Sequence, residues 1–266
     1  MVWLHHVHGP MWGMTLPPNL ARLGVTLEEQ IAPKFYRRSP IVTLSESSKQ
    51  ELVDDLGFAP DRVSVVPPGI DPKFSPGGER SGHPLMVAVG RLVPVKDFSR
   101  LIRLAQRVRE DVPDLELVIV GEGYERDSLE AQIAEADLGG WVHLPGRVSD
   151  DELIDLYRRA WVVASVSSRE GWGMTLTEAA ACGTPAVATR IAGHSDAVTE
   201  GESGLLAEHD DELVDAMRRV LTDRDLRTRL SDGARTRAAA LTWEATAIGT
   251  FSVLAADALR RSRRRP

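Results

Sequence analysis

The chain has 266 residues and a formal net charge of −7, with 42% hydrophobic and 27% charged residues. This length accommodates one large domain or two ordinary domains of a soluble globular protein. The acidic balance disfavours broad contact with a phosphate backbone, so we expect no nucleic-acid partner.

Residues 1–78 show few regular patterns. Ser45 is a typical N-cap residue and predicts a helix that Gly57 ends. The β-branched run over residues 62–66 predicts a short strand. The following stretch, residues 67–84, is rich in Pro and Gly and predicts a linker between two domains.

Residues 79–250 alternate regularly between strand and helix patterns. The predicted strands are apolar on both faces and cover residues 85–90, 115–121, 141–146, 161–166 and 184–190. The predicted helices cover residues 98–110, 125–139, 150–160, 175–183 and 211–223. This alternation predicts an α/β domain with a doubly wound, Rossmann-like parallel sheet and helices on both faces. Such sheets bind ligands at the carboxyl ends of their strands, so the loops there are the candidate site.

The first of these loops, GRLVPVKD, holds two cations. Gly90 ends the predicted strand, and Arg91 and Lys96 follow it in the same loop. A guanidinium fork and an ammonium group placed there are suited to grip a diphosphate, although two solvated surface charges explain the pattern equally well. The Walker A pattern for phosphate binding is absent.

A second loop, EGWGMTLTEAAACGTP, combines glycines with two carboxylates. Gly171 and Gly173 allow a tight turn close to a ligand, and a helix predicted to begin near Thr175 would direct its N–H groups at an anion. Glu170 before this helix and Glu178 within it could reach different hydroxyl-bearing rings of one ligand. The alternative for Glu178 is a capping box with Thr175.

Two further patterns carry weaker signals. The GEG turn at residues 121–123 lacks the third glycine of a dinucleotide fingerprint, because Arg126 occupies that position. This argues against a dehydrogenase and favours a tight turn that lines the cleft. Near the start of the chain, His6 and His8 would share one face of a strand. A metal site there would need a further ligand, so a packing, hydrogen-bonding or catalytic role is the alternative.

The segments GRLVPVKD, LVIVGEG, LPGRVSDDEL and SREGWGMTLTEAAACGTPAVATRIAG occur in this order and together resemble retaining glycosyltransferases of family 4. The resemblance extends over about residues 40–250 and implies the GT-B architecture, which has two Rossmann-like domains. It further implies transfer of a hexose-type sugar from a nucleotide diphosphate sugar to an acceptor, with retention of configuration. Residues 1–78 would then be part of the N-terminal, acceptor-side domain with the linker, residues 79–250 the donor-binding domain, and residues 251–266 the end of a C-terminal helix and a basic tail.

The resemblance implies a role for each site residue. Glu170 contacts the hydroxyls of the donor sugar, Glu178 binds the ribose, and His8 lies at the floor of the cleft, which makes Glu170 and His8 the catalytic candidates. The remaining donor-binding residues are Gly90, Arg91 and Lys96 at the diphosphate, Val148 beside the nucleobase, and Gly173, Met174, Thr175 and Leu176 with backbone N–H groups facing the sugar and phosphate. No cofactor and no metal are expected, since cations and a helix N-terminus can stabilise the diphosphate as it leaves. The acceptor is a glycan, a lipid or a small molecule.

The sequence departs from the family pattern in three places. Asp97 replaces a common glycine, and Asp196 stands where glutamate is usual. The matching region also begins near the end of the family's N-terminal domain. We therefore expect the apolar runs 41–44 and 63–66 to expose an edge and an apolar face. The alternative function is a chain that binds a nucleotide sugar without transferring it.

Three features of the sequence bear on the compartment of the protein. The single cysteine, Cys182, fits a reducing compartment, no apolar run reaches the about 18 residues of a membrane span, and the N-terminal stretch lacks a basic leader. These features predict a cytoplasmic protein. The arginines after residue 259 predict a frayed, solvated tail, with contact to the inner membrane face as the alternative.

Overall fold

The computed structural model describes residues 1–9 and 11–263, except the side chain of Thr15. It divides into two compact units, one formed by residues 1–69 with the segment from residue 241 onward, and the other by residues 70–240. Each unit contains its own parallel sheet.

The larger unit is built on a sheet of six parallel strands in the order β6-β5-β4-β7-β8-β9. The strands are β4 (Leu85–Val89), β5 (Glu116–Val120), β6 (Val142–Gly146), β7 (Val162–Ser165), β8 (Ala186–Thr189) and β9 (Gly204–Ala207). The helices are α5 (Phe98–Asp111), α6 (Arg126–Glu135), α7 (Asp150–Arg159), α8 (Met174–Ala181), α9 (Ala192–Ala197), α10 (Asp210–Thr222) and α11 (Arg224–Ala239).

The core of this unit explains why its strands read as continuous apolar runs. Met86, Val87 and Ala88 in β4 are each 0% exposed, because helices cover the sheet on both faces. One side of α5 faces this core, because Leu101, Ile102 and further apolar residues recur there at helical spacing. The predicted α/β fold class with a doubly wound parallel sheet is confirmed.

The predicted elements of residues 79–250 agree with the observed ones to within a few residues at each end. The sequence patterns missed β9, α9 and α11. The strand β9 has only the apolar residues Leu205 and Leu206 with a glycine before them, and α11 has arginines along most of its length, so neither has a strong hydrophobic pattern.

The smaller unit contains three short parallel strands in the order β1-β2-β3. These are β1 (Val2–Trp3), β2 (Ile41–Thr43) and β3 (Val63–Val65), and the unit's helices are α1 (Met11–Thr15), α2 (Pro18–Thr26), a π-helical turn (Leu27–Ile31), α3 (Ala32–Tyr36), α4 (Glu46–Asp54) and α12 (Trp243–Ser262). The predicted cap of α4 is confirmed, since Ser45 Oγ accepts a hydrogen bond from Ser48 N at 3.1 Å.

The expectation that residues 41–44 and 63–66 expose an apolar face is wrong. Ile41 is 1% exposed, Val42 0% and Val63 3%, because β2 lies between β1 and β3 and α4 packs beside them. The exposed apolar side chains of this unit lie on helices instead, with Phe35 80% and Phe251 71% exposed. Arg260, Arg261 and Arg263 lie at the end of α12, whereas Arg264 and Arg265 of the predicted basic tail lie outside the described residues.

Candidate functional site

Two loops meet where the strand order of the larger sheet reverses. The chain runs outward from β4 through β5 to β6, then returns to β7 beside β4 and runs outward again through β8 to β9. The carboxyl ends of β4 and β7 therefore flank the crevice in which open parallel sheets bind their ligands. The loop after β4 carries Arg91 and Lys96, and the loop after β7 carries Glu170.

Lys96 and Glu170 form a direct ion pair across this crevice. Lys96 Nζ donates to Glu170 Oε1, and Ser167 Oγ donates to the same oxygen at 2.9 Å. The two charged side chains are only 19% and 17% exposed. Burial weakens the screening of such a pair by solvent, so each charge holds the other in place more firmly than a surface pair would. Arg91 is exposed at the start of the same loop.

The backbone of the β4 loop determines where Lys96 lies. A Cβ atom at Gly90 would stand 3.3 Å from Lys96 Cε, so a glycine leaves room for the lysine stem to cross the end of β4. The loop ends at Asp97, which has a left-handed φ of 50° and caps α5 by accepting from Arg100 N at 3.3 Å. This conformation accounts for the glycine common in the family, and the cap offsets part of its cost to Asp97.

The GEG turn packs directly against the β4 loop. A Cβ atom at Gly121 would lie 1.8 Å from Gly90 O, and one at Gly123 would lie 2.1 Å from Leu92 O. Leu92 N donates to Glu122 O at 3.0 Å, which ties the two loops together. Both positions require glycine, because the backbones of the two loops approach each other too closely for a Cβ atom. This agrees with the predicted tight turn at the ligand-binding edge.

The glycine-rich loop leads into α8, which begins at the same edge of the sheet. Gly173 precedes the helix with a φ of +119°, a conformation that glycine alone adopts readily. Leu176 N and Thr177 N both donate to Gly173 O, at 3.0 and 3.2 Å. Helix geometry leaves the N–H groups of Met174 and Thr175 without an intrahelical acceptor, and the positive end of the helix dipole lies at the same place.

The capping-box alternative for Glu178 is wrong. The N-cap is Gly173, so Thr175 lies inside the helix, and α8 has no side-chain cap. Glu178 is instead half-buried and accepts a hydrogen bond from the Tyr157 hydroxyl at 3.3 Å. Burial raises the pKa of Glu178 to about 7, and the Tyr157 hydrogen bond and the charge of Lys73 only partly oppose this.

His194 is a component of the site that the sequence patterns did not single out. It is 0% exposed, its Nδ1 lies 3.0 Å from Thr189 O, and its Nε2 lies 3.1 Å from Ser165 Oγ. A carbonyl only accepts, so Nδ1 carries the hydrogen and Ser165 donates to Nε2. Burial lowers the pKa of His194 to about 4, so the ring is neutral. The available signal was its position shortly after the strand β8, at the ligand-binding edge.

The residues around His194 support the glycine-rich loop. A Cβ atom at Gly193 would lie 2.4 Å from Glu170 O and 2.6 Å from Trp172 N, so α9 begins in direct contact with that loop. His194 Cδ2 would lie 3.4 Å from a Cβ atom at Gly173. Asp196, which replaces the usual glutamate, is half-buried in α9, and its carbonyl accepts from Arg237 Nη2 at 2.6 Å.

Val148 lies in the loop between β6 and α7. It is half-buried and borders an open pocket of about 530 Å³, whose other lining residues come from β5, β6 and α7. The position of Val148 beside a nucleobase stays a prediction.

His8, in the smaller unit, does not lie in a strand with His6, since β1 ends at Trp3. The rings of His6 and His8 nevertheless contact each other, with centroids 4.6 Å apart. Glu28 holds the segment, because its carboxylate accepts from His8 N at 2.7 Å and lies 3.3 Å from His8 Nδ1. Burial raises the pKa of Glu28, but the hydrogen bonds from His8 and Gly9 outweigh this, so its pKa is lowered.

Neither a metal-binding cluster nor a membrane-spanning helix occurs in the described part of the chain. It contains no group of three or more His, Cys, Asp or Glu side chains arranged to hold a metal ion. Within the same residues, no helix is long and apolar enough to cross a bilayer.

The larger unit, with its switch-point crevice, has the architecture of one Rossmann-like domain of the GT-B fold. Its sequence matches the family described as Glycosyl transferases group 1 over residues 70–237. The chain therefore belongs to the group 1 glycosyltransferases, the family 4 enzymes of GT-B fold. It is similar to the D-inositol 3-phosphate glycosyltransferase of Stackebrandtia nassauensis, with 36% identity over 83% of this chain and 54% of that protein. A protein with the same name from Corynebacterium urealyticum is 37% identical over 70% of this chain and 49% of its own length. The chain thus spans about half the length of the curated relatives that it matches.

Solved structures support the same fold. A mutant of S. aureus TarM, solved in complex with fondaparinux, alpha-GlcNAc-glycerol and UDP, superimposes with a TM-score of 0.79 at 19% identity and covers 94% of this chain and 50% of its own. Anabaena HepE in complex with UDP and glucose superimposes with a TM-score of 0.77 at 21% identity and covers 96% of this chain and 71% of its own. At these identities the likeness concerns the fold alone.

Proposed function

We propose that this chain carries the donor site of a retaining glycosyltransferase that takes a hexose-type sugar from a nucleoside diphosphate. The observation that supports this most directly is the convergence of Lys96, Glu170 and the N-terminus of α8 at the switch point of the sheet. The crevice thus brings together a cation and free helix N–H groups, which suit a diphosphate, and a carboxylate, which suits sugar hydroxyls. Uridine diphosphate is the first donor nucleotide to test, because it is bound in the TarM and HepE structures.

The chemistry depends on where charge develops. Breaking the bond between sugar and phosphate creates an oxocarbenium-like sugar and a more negative diphosphate. Lys96, Arg91 and the N–H groups of Met174 and Thr175 are the groups proposed to stabilise the diphosphate as it leaves. Glu170, held by Lys96 and Ser167, is proposed to accept hydrogen bonds from the sugar hydroxyls. Glu178 is proposed to bind the ribose, and His8 to act on the acceptor side.

The acceptor is proposed to be a glycan, a lipid or a small molecule. The relatives named D-inositol 3-phosphate glycosyltransferases make that inositol phosphate the first acceptor to test. The alternative is that the chain binds the nucleotide sugar without transferring it. Two separate assays distinguish these functions, namely calorimetric binding of UDP and UDP-glucose, and product formation from UDP-glucose with a panel of acceptors.

The Glu170→Gln variant tests the donor assignment. We expect UDP to bind the variant nearly as it binds the wild-type chain, whereas UDP-glucose loses the affinity that its sugar contributes. Glu178→Gln should weaken both ligands, because both contain the ribose. Equal affinity of the wild-type chain and Glu170→Gln for UDP-glucose would remove Glu170 from the sugar subsite, and failure of the wild-type chain to bind UDP would reject a uridine-based donor.

A further inference from the structure

Four arginines converge on a concave pocket that is separate from the candidate donor site. The pocket has a volume of about 420 Å³. Its lining includes Arg80, Arg224, Arg227 and Arg235 together with Ser81 and Trp161. Ser81 precedes β4, and Trp161 comes directly before β7, so the pocket lies at the amino ends of these strands. The candidate donor site lies at their carboxyl ends, at the opposite edge of the same sheet.

The charges in this pocket are unbalanced. Among the described residues that line it, the one carboxylate is Asp232, which pairs with Arg235 Nη2 on the same helix. Arg80, Arg224 and Arg227 therefore contribute three positive charges to one concave surface, which the carboxylate of Asp223, outside the lining, offsets in part at Arg227. Like charges this close repel one another, and the repulsion is relieved when an anion binds between them.

The pocket is held in shape by two of its own arginines. Arg80 inserts its guanidinium between elements, donating to the carbonyl oxygens of Ala160 and Gly183 and, at 2.6 Å, to Thr184 Oγ1. Burial lowers the pKa of Arg80 to about 10, and the charges of Arg227 and Arg235 add to this effect. A pKa of this size leaves Arg80 cationic at neutral pH.

Arg227 is fixed by a different set of contacts. Its guanidinium carbon lies 4.0 Å from the centroid of the Trp161 ring, and Nη1 donates to Val220 O at 2.7 Å and to Leu221 O at 3.2 Å. Among the described residues, Nε and Nη2 of Arg227 donate no hydrogen bond, so they remain available to a ligand. The indole nitrogen of Trp161 is held in turn by Ser81 O at 2.8 Å. The pocket therefore combines an oriented guanidinium edge with an aromatic wall.

We propose that this arginine pocket binds the phosphate group of a small phosphate ester. Arg227 presents a fixed fork, and Arg224 and Arg235 supply further charge from the exposed side of α11. The Ser231 hydroxyl accepts from Arg80 Nη2 at 3.4 Å and keeps its own hydrogen to donate to the phosphate. Bidentate guanidinium contacts are the favoured means of binding phosphate in proteins. The volume of the pocket is sufficient for a phosphate carrying a group of sugar size, and Trp161 provides an apolar surface for its carbon skeleton. This second site does not depend on the proposed donor chemistry.

Inorganic phosphate is the probe for this proposal. It is titrated into the ¹⁵N-labelled chain, and the arginine Nε–H and Trp161 indole signals are followed at constant ionic strength against sodium chloride. We expect the signals of Arg227 and Trp161 to shift with saturation, and to shift equally in the Lys96→Ala variant, in which the candidate donor site has lost its buried cation. Identical shifts with chloride alone, or loss of the shifts in Lys96→Ala, would overturn the proposal.

Matched variants on one helix make the test specific. Arg224→Gln combined with Arg235→Gln removes two of the exposed pocket charges, and we expect phosphate affinity to fall about tenfold or more. Arg229→Gln is the control, since Arg229 lies on the same exposed helix but donates to Gly201 O at 2.9 Å outside this pocket. Both variants should melt within a few degrees of the wild-type chain. Equal phosphate affinity in the double variant and the control contradicts the proposal.

The same variants identify the source of the phosphate. Vesicles of phosphatidylcholine with phosphatidic acid are sedimented with the wild-type chain, the double variant and the control. We expect the chain to stay in solution while still binding inorganic phosphate, which indicates a soluble ester. Sedimentation that depends on Arg224 and Arg235 would overturn the soluble ligand and assign the pocket to a lipid headgroup.

Discussion

At the scale of single residues, the candidate donor site is organised around the contact between Lys96 and Glu170. The resemblance to the family implies separate roles for them, one at the diphosphate and one at the sugar. Their direct contact means that each also positions the other, and a ligand that binds Lys96 must share it with Glu170. Substitution of either residue therefore affects the partner that remains, because an unpaired charge that is largely buried is costly.

Removing the cations of the β4 loop tests the diphosphate assignment. We expect Lys96→Ala and Arg91→Ala each to weaken UDP binding by about tenfold or more, since a hydrogen bond to a charged group contributes about 1.5–3 kcal/mol. Calorimetry with UDP measures the loss. Arg107→Ala is the control, because Arg107 is exposed on α5 and pairs with Asp211 at 2.6 Å in the same unit. Unchanged UDP affinity in both loop variants would refute the assignment.

The raised pKa of Glu178 predicts how the free energy of unfolding depends on pH. Its folded pKa of about 7 lies above the unfolded value of 4.5, so between these values the unfolded chain releases a proton that the folded chain retains. The unfolded state then binds fewer protons, and the free energy of unfolding falls as pH rises through this window. Glutamine has no titrating carboxyl group, so the Glu178→Gln variant does not lose this part of its free energy of unfolding as pH rises. We expect Glu178→Gln to gain stability relative to the wild-type chain between pH 4.5 and 8, by at most about 3 kcal/mol at 1.36 kcal/mol per pKa unit.

Urea denaturation of both chains at pH 4.5, 6 and 8 measures this gain, and the shared pH dependence of the other groups cancels in the difference. Glu152→Gln is a suitable control, because Glu152 is exposed at the start of α7 and its pKa is lowered by hydrogen bonds from Ser149. A difference between Glu178→Gln and the wild-type chain that stays constant over this range would contradict the raised pKa.

At the scale of elements, the site depends on glycines where two backbones meet. The loops after β4 and β5, and the start of α9 against the glycine-rich loop, approach more closely than any side chain would allow. Backbone N–H groups can face a ligand only where such turns direct them to the edge of the sheet. These contacts explain why the motifs of the loops have glycines at their particular positions.

Gly173→Ala should disturb the start of α8. Its φ of +119° disfavours a Cβ atom, and strain of this kind costs about 1–3 kcal/mol. We expect a lower melting temperature together with weaker UDP binding, measured by scanning calorimetry and titration. Gly139→Ala is the matched control, because a Cβ atom there meets nothing within 4 Å. A variant with unchanged melting temperature and UDP affinity would show that α8 tolerates the alanine.

At the scale of the whole molecule, the exposed apolar surface of the smaller unit stands out. Leu20, Leu23, Leu27, Ile31 and Phe35 recur at helical spacing between residues 18 and 36, and all are at least 38% exposed. Ile248, Phe251 and Leu259 add further exposed apolar area on α12. Apolar surface in such stripes favours association, because burying it removes it from water.

We therefore predict concentration-dependent self-association of the 266-residue chain. Sedimentation velocity over a range of concentrations measures the association. Phe35→Ser combined with Phe251→Ser should shift the chain towards monomer, whereas Tyr124→Ser should not, although Tyr124 is 66% exposed in the larger unit. A wild-type chain that stays monomeric at every concentration would contradict the prediction.

Much of the larger unit could be predicted from the sequence alone. Its strands are short apolar runs and its helices carry apolar residues at a spacing of three to four, so local patterns identify the parallel sheet and the loops at its ligand-binding edge. The motifs of those loops also indicate the family. These features are local in sequence, because secondary structure and backbone turns depend on neighbouring residues.

Only the tertiary structure decided which groups meet. Lys96 and Glu170 are 74 residues apart, and Arg80 lies 103 residues from Gly183, whose carbonyl it holds, so no spacing in the sequence predicts either contact. The fold also showed that Thr175 is no cap, that His194 is buried beneath the glycine-rich loop, and that Ile41 and Val63 are buried. Burial and long-range contact depend on how elements pack, and that packing determines the pKa of Glu178 and the charge of the arginine pocket.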